Sequence, residues 1–335
     1  MPKSTITRNP LHDAVFYGIL AGGLFLLAAT LYPAQAEAEN YDANELVLED
    51  FIATVSIMTG QADTISVSID NGTAGKEPVL IEERGDSVRL YSDEKPDQRT
   101  FWRNMNWNRH GRDAFKVFLE DYPVVQITVP EGTNISIDGV AVHLTTGNLN
   151  SEMNIGSTIY VEGAVGNLTS ADIRITGGGD LQFASIAEGL KAQIAGSGDL
   201  SFSDVQSAEL SIAGSGDIDI QEIAGDLTAS IRGSGDIVTG DINGASEFRI
   251  AGSGDIKAGR VMGGTDISIR GSGDIDISEV NGPSEVGITG NGDVDIRKGR
   301  AEDLRVRISG SGDFKFNGLA TNPDVSISGN GDVFI

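Results

Sequence analysis

Between Gly177 and Asp332 the chain writes Gly-Ser-Gly-Asp, or a near copy of it, nine times. The aspartates of these motifs (Asp180, Asp199, Asp217, Asp236, Asp255, Asp274, Asp293, Asp313 and Asp332) are spaced by 19, 18, 19, 19, 19, 19, 20 and 19 residues. A period near 20 with so little drift is the mark of a solenoid, in which each repeat is one coil stacked on the last. The repeat sets the architecture of half the chain and argues against an ordinary globular enzyme.

Aligned on the aspartates, the repeats carry isoleucine five residues earlier in every case, from Ile175 to Ile327. An apolar residue follows each aspartate, and the position two further on is again mostly apolar, as in Leu200 with Phe202 and Ile218 with Ile220. Period-two alternation on both sides of a glycine turn is the signature of short strands with one buried face, and β-branched residues suit that surface. The expected fold class is all-β, a parallel β-helix (β-solenoid) of about eleven coils with a repeat of about 19 residues. Ile137 and Ile155, 38 and 20 residues before Ile175, read as upstream members of the isoleucine column. Val140, Val142, Ile159 and Val161 read as the strand after the turn, which places the solenoid at residues 124–335. The two glycines of each turn are expected to supply positive φ, and the aspartate to accept hydrogen bonds from turn amides.

Residues 37–123 lack the repeat. Strand-like stretches at 45–58 and 63–70, and a pair around Arg84-Gly85-Asp86, predict a β-rich N-terminal cap that covers one open end. The other end stops inside a repeat, so a homo-oligomer by end or edge packing, or a capping partner, is expected there.

Residues 1–36 read as an export signal: basic Lys3 and Arg8, an apolar run from Ala14 to Tyr32, and small residues at Ala34 and Ala36. Cleavage after Ala36 gives an exported protein of the periplasm, outer envelope or cell surface. Retention of the run, nearly long enough to span a bilayer, gives the same protein on an anchor, its only expected membrane contact. The chain has 24 basic and 49 acidic residues, a net charge of −25, which becomes −26 without Lys3, Arg8 and Asp13. Such a charge repels nucleic acid and anionic membrane surfaces. Cysteine is absent, which excludes disulfides and thiol chemistry.

The β-rich start at Leu46–Ile69, the Val-Pro-Glu-Gly step at Val129–Gly132 and the repeated I-x-G-[SN]-G-D-[ILVF] resemble the head GIN domain family, bacterial proteins described as auto-transporter adhesins. The resemblance covers essentially all of the chain after the leader. It implies a parallel β-helix and a role at the cell envelope. No segment has the make-up of a C-terminal membrane barrel, so self-export is not expected.

Two candidate sites stand out. Stacking would set Asp199, Asp217, Asp236, Asp255, Asp274 and Asp293 in file, each ~5 Å from the next, where like charges repel by about 1 kcal/mol in water. Clustered carboxylates suit calcium, so the repeat reads either as a structural corner or as a calcium-stabilised one; no other cofactor is expected. The second site is the basic, aromatic stretch at 99–116, with Trp102, Arg103, Trp107, Arg109, His110 and Arg112. Arginine and tryptophan are enriched where partners bind, and aromatic rings stack on sugars; the plain alternative is a short helix lying over the first coil. Catalysis finds little support. The three histidines are His12 in the leader, His110 in the basic stretch and His143 on an exposed strand position, and no G-x-S-x-G occurs. The resulting expectation is a non-catalytic, adhesin-like envelope module for glycans or envelope proteins. A β-helix enzyme acting on polysaccharide is the remaining alternative.

Overall fold

A computed structural model describes residues 38–72, 77–105 and 114–335. Strands account for 59% of it and helices for 5%, and the strands stack as a β-solenoid of about eleven turns, so the expected fold class is the one the chain forms. The leader reading at 1–36 lies outside the described residues.

A regular coil has two walls. Ile218–Ile223 forms the first wall of one coil and Leu227–Ile231 the second, after which Arg232–Asp236 turns the corner into the next coil. Ile218, Ile220, Ile223, Leu227, Ala229 and Ile231 all point inward and are almost inaccessible. Parallel pairing stacks like on like: Ile231 lies between Ile212 and Ile250, and Leu200 lies on Leu181. Each such side chain adds about 1.5–3 kcal/mol by leaving water. Volume is balanced from coil to coil. Phe183 and Phe202 stack at 4.7 Å with an interplanar angle of 14°. Further along, the same column carries Thr239 and Ala258, and there the second wall supplies Phe248, fully buried.

The N-terminal region is more deeply built into the stack than a cap. It contains β1 (Glu39–Tyr41), β2 (Glu45–Glu49), β3 (Ile52–Thr59), β4 (Ile65–Asp70), β5 (Leu80–Arg84) and β6 (Ser87–Tyr91). Two helices, α1 (Gln98–Asn104) and α2 (Ala114–Leu119), precede β7 (Val124–Val129), β8 (Asn134–Asp138) and β9 (Ala141–Thr146). The repeat pattern predicts a solenoid that begins near Val124, but β2 and β3 are already coil strands. On the second wall β2 pairs in parallel with both β6 and β8; on the first, β3 pairs in parallel with both β7 and β9. The coil made first in the chain is therefore second in space, held between β6–β7 and β8–β9. Antiparallel strands finish this end: β4 then β1 on the first wall, and β5 on the second. The β5–β6 pair turns at Gly85, φ 62°, as its sequence predicts.

The isoleucine column also needs a correction. Ile155 pairs with Ile173, not with Ile175, and Ile137 pairs with Ile155. That coil is 18 residues long rather than 20, so Ile137 and Ile155 belong to the neighbouring inward column. The column of Ile175 begins at Ile175 itself, paired with Ile194.

Candidate functional site

The repeated corner is a hydrogen-bonded structural device. Asp217 N–H donates to Asp199 Oδ1 at 2.9 Å, Asp236 N–H to Asp217 Oδ1 at 2.7 Å, and Asp255 N–H to Asp236 Oδ1 at 2.8 Å. The series continues through Asp274, Asp293, Asp313 and Asp332 at 2.7–2.8 Å. Each carboxylate thus holds the aspartate amide of the next coil, a charge-assisted bond. The expected acceptor role stands, with the donor one coil away.

The expected role of the glycines changes. Of the motif glycines only Gly179 has a φ in the positive range, 115°. The others are required by contact: a Cβ on Gly216 would lie 2.0 Å from the Gly198 carbonyl oxygen, and one on Gly254 1.9 Å from that of Gly235. The corners stack backbone on backbone, with Ser215 N–H on Gly196 O and Ser234 N–H on Gly214 O, both at 3.0 Å.

Among the described residues, no group of three or more histidine, aspartate or glutamate side chains is placed to hold a metal ion. The Oδ1 atoms of Asp199, Asp217, Asp236, Asp255, Asp274 and Asp293 are each taken by an amide. Asp255→Asn, which keeps that acceptor, is expected to melt close to the parent, whereas Asp255→Ala is expected to cost about 1–2 kcal/mol. In the same thermal unfolding experiment excess chelator should leave the midpoint unmoved; a calcium-dependent rise would make the aspartates an ion site.

At its N-terminal end the aspartate column changes chemistry. Gly163 pairs with Leu181, so the column passes from Asp180 to Glu162, and from there to His143 and Thr54. The sequence places His143 on an exposed strand position, but it is only 8% accessible, because both faces of β9 are covered. Its Nδ1 lies 3.4 Å from Glu162 Oε1, and the Tyr160 hydroxyl donates to Glu162 Oε2 at 3.2 Å. Burial first, and then the carboxylates of Glu162 and Asp180, push the Tyr160 phenol well above its ordinary range, so it stays a protonated donor at neutral pH.

The helices cover the start of β9. In the outermost coil, residues 92–105 and 114–123 stand, between β6 and β7, where other coils have Gly-Ser-Gly-Asp. Phe101, Met105, Ala114, Phe115 and Leu119 pack on Ile52, Ala141 and Tyr160, which open the first-wall strands of the next coils. The glycine motif fades upstream because those corners lie beneath a lid. Asp97 starts α1 by accepting the Thr100 amide at 2.8 Å; the Thr100 side chain first, and then that amide, hold its carboxyl below the usual range. Trp102 is half-buried, edge-on to Tyr160 at 5.8 Å and to Phe101 at 5.3 Å, while Arg103 is exposed. Trp107, Arg109, His110 and Arg112 lie outside the described residues. Sequence reasoning missed Phe115, Phe118, Tyr122 and Tyr160 as members of this cluster. The i, i+3, i+7 spacing of the first three was a helical signal that could have found them.

Parallel coils, a corner bonded to its own copies and an aromatic lid over one edge define a lidded β-solenoid. The chain belongs to the Toastrack DUF4097 family, whose model matches residues 43–258. The model described as "Putative auto-transporter adhesin, head GIN domain" matches residues 265–334, so the head GIN resemblance is carried by the last coils rather than by the whole chain. No curated protein matches. Similar solved structures include a putative adhesin from Bacteroides fragilis NCTC 9343, 14% identical over 89% of this chain and 95% of that one, with a TM-score of 0.36. Another is a putative lipid binding protein from Parabacteroides distasonis ATCC 8503, 15% identical over 89% and 96%, with a TM-score of 0.32. No helix among the described residues is long and apolar enough to cross a membrane.

Proposed function

We propose that the protein is an exported, non-catalytic module of the cell envelope that binds an extended partner, with a glycan favoured over an envelope protein. The observation that carries this reading is the lid. It carries the half-buried Trp102 and the exposed Arg103 at successive positions of α1, an aromatic ring and a hydrogen-bond donor of the kinds that suit a sugar. The rest of the repeat is committed to holding the coils together. The full chain's net charge of −25 disfavours polyanionic partners. Membership of a family matched alongside an adhesin model supports the envelope setting.

A glycan array probed with the parent and with a Trp102→Ala, Arg103→Ala double variant tests the reading. The parent is expected to retain a defined set of glycans that the variant loses, with unchanged melting as the control for folding. Equal binding by both would reduce the lid to a cover for the corners, and release of new reducing ends from any bound polysaccharide would make the protein an enzyme.

A further inference from the structure

The last coil departs from the burial rule of those before it. Val306 and Ile308 are at most 1% accessible, whereas Val325 and Ile327, which stack on them in register, are 41% and 45% accessible. Leu319, Phe334 and Ile335 are exposed at the same end. Among the described residues, Asp324–Ile327 has a strand neighbour on one side only, Arg305–Ile308. An apolar strand edge of this kind is a template for another strand.

The backbone decides which strand fits. Ser328 N–H donates to the Ile308 carbonyl at 2.7 Å. By alternation the polar backbone groups of Ser326 also point back into the stack, and those of Val325 and Ile327 point out of it. Pro323, in the same phase as Val325, has no N–H and ends the free ladder there. The same segment of a second copy, turned antiparallel about a twofold axis at Ser326, matches this pattern. Val325 then lies opposite Ile327 of the second copy and exchanges both backbone hydrogen bonds with it. Both side chains stay on the core face, and Asp324 meets a serine hydroxyl, Ser328, rather than another acid. A slip of one residue would set Val325 opposite Ser326 and turn the apolar set to the wrong face.

Head-to-tail stacking fits less well. The opposite end is finished by β1 and β5, whose Glu39, Glu82 and Glu83 would be brought up to Asp324. A twofold contact avoids this and closes with two copies.

We propose that the protein forms a twofold dimer through this end, with the segment from Asp324 to Ser328 paired antiparallel to its own copy. The contact is one coil in cross-section, at the small end of specific interfaces, so the dimer is reversible.

Sedimentation equilibrium of the full chain at increasing concentration is expected to show monomer passing to dimer, with nothing larger. Val325→Asp and Ile327→Asp alter side chains already in contact with water in the monomer. Each should weaken association about tenfold or more while leaving the melting of the dilute protein little changed. The register has its own test, because the chain contains no cysteine. Ser326 falls at a non-hydrogen-bonded pair on the axis, where Cα atoms are about 4.5 Å apart, within reach of a disulfide. Mild oxidation of Ser326→Cys should give a covalent dimer. Ser268→Cys, in the same outward column three coils earlier, should stay monomeric. A monomer at every concentration, an open-ended assembly, parent association in both aspartate variants, or equal cross-linking of the two cysteine variants overturns the proposal.

Discussion

Alanine at Gly235 is expected to destabilise the protein by at least about 3 kcal/mol, more than most overpacking substitutions. The added Cβ would lie 2.0 Å from the Gly216 carbonyl oxygen and 2.9 Å from the carbonyl carbon. Both are backbone atoms of the coil beneath, so no rotamer change can relieve the contact. Parting the corners by the required distance would also stretch the Asp236 N–H bond to Asp217 Oδ1 and the Ser234 N–H bond to Gly214 O. Gly287 is the internal control. It lies in a strand of the second wall, and the nearest atom to a Cβ there is the Ile267 carbonyl oxygen at 3.8 Å. Gly287→Ala should be neutral or should stabilise by up to about 1 kcal/mol, since it removes freedom from the unfolded chain. Urea unfolding of the two variants compares them directly. Equal midpoints would show that the corner tolerates a side chain, and the steric account of the repeat would fail.

Phe248→Ala is expected to cost about 3–5 kcal/mol, the usual loss for an aromatic removed from a closed core. Phe248 is fully buried in the coil whose first wall carries the small Thr239, next to Ala258 of the following coil, so little side-chain volume is at hand to collapse into the space. Ile231→Val, one coil earlier, removes a single methylene and should cost only about 0.5–1.5 kcal/mol. A shallow loss at Phe248, no greater than that at Ile231, would mean that the coils relax toward one another and that the core is less rigidly divided than the stacked columns indicate.

The walls were readable in the sequence because their cause is local. Alternation at Leu200–Phe202 or Ile218–Ile220 fixes which side chains face inward, and the Gly85 turn between two such runs makes a hairpin. What escaped depends on contacts between distant segments. Nothing in Glu45–Glu49 says that its neighbours are Ser87–Tyr91 and Asn134–Asp138, because any strand with that alternation could fill the place. Ile155 fits either an 18-residue or a 20-residue coil, and only the pairing with Ile173 decides. Glycine before serine is compatible both with positive φ and with a backbone contact that excludes Cβ, and the two differ only once the next coil is in place. His143 alternates outward as its sequence indicates, yet it is almost inaccessible, two residues along the strand from the helix-covered Ala141. For the candidate sites, the lid was visible as a basic, aromatic island, whereas the register of a twofold contact at Ser326 depends on which backbone groups the preceding coil leaves free.

The insertion of β2 between β6 and β8 bears on how the molecule carries mechanical load. In a solenoid threaded in simple order, tension on one terminus lifts off the end coil and then the next, each step breaking one line of hydrogen bonds. Here a pull from the N-terminal side first strips the three pairs of β1 from β4 and then reaches a strand held on both edges, by five pairs to β6 and five to β8. Both lines must yield together before the stack opens. A molecule tethered from that side would resist detachment at its second coil, behind a short segment that gives way early.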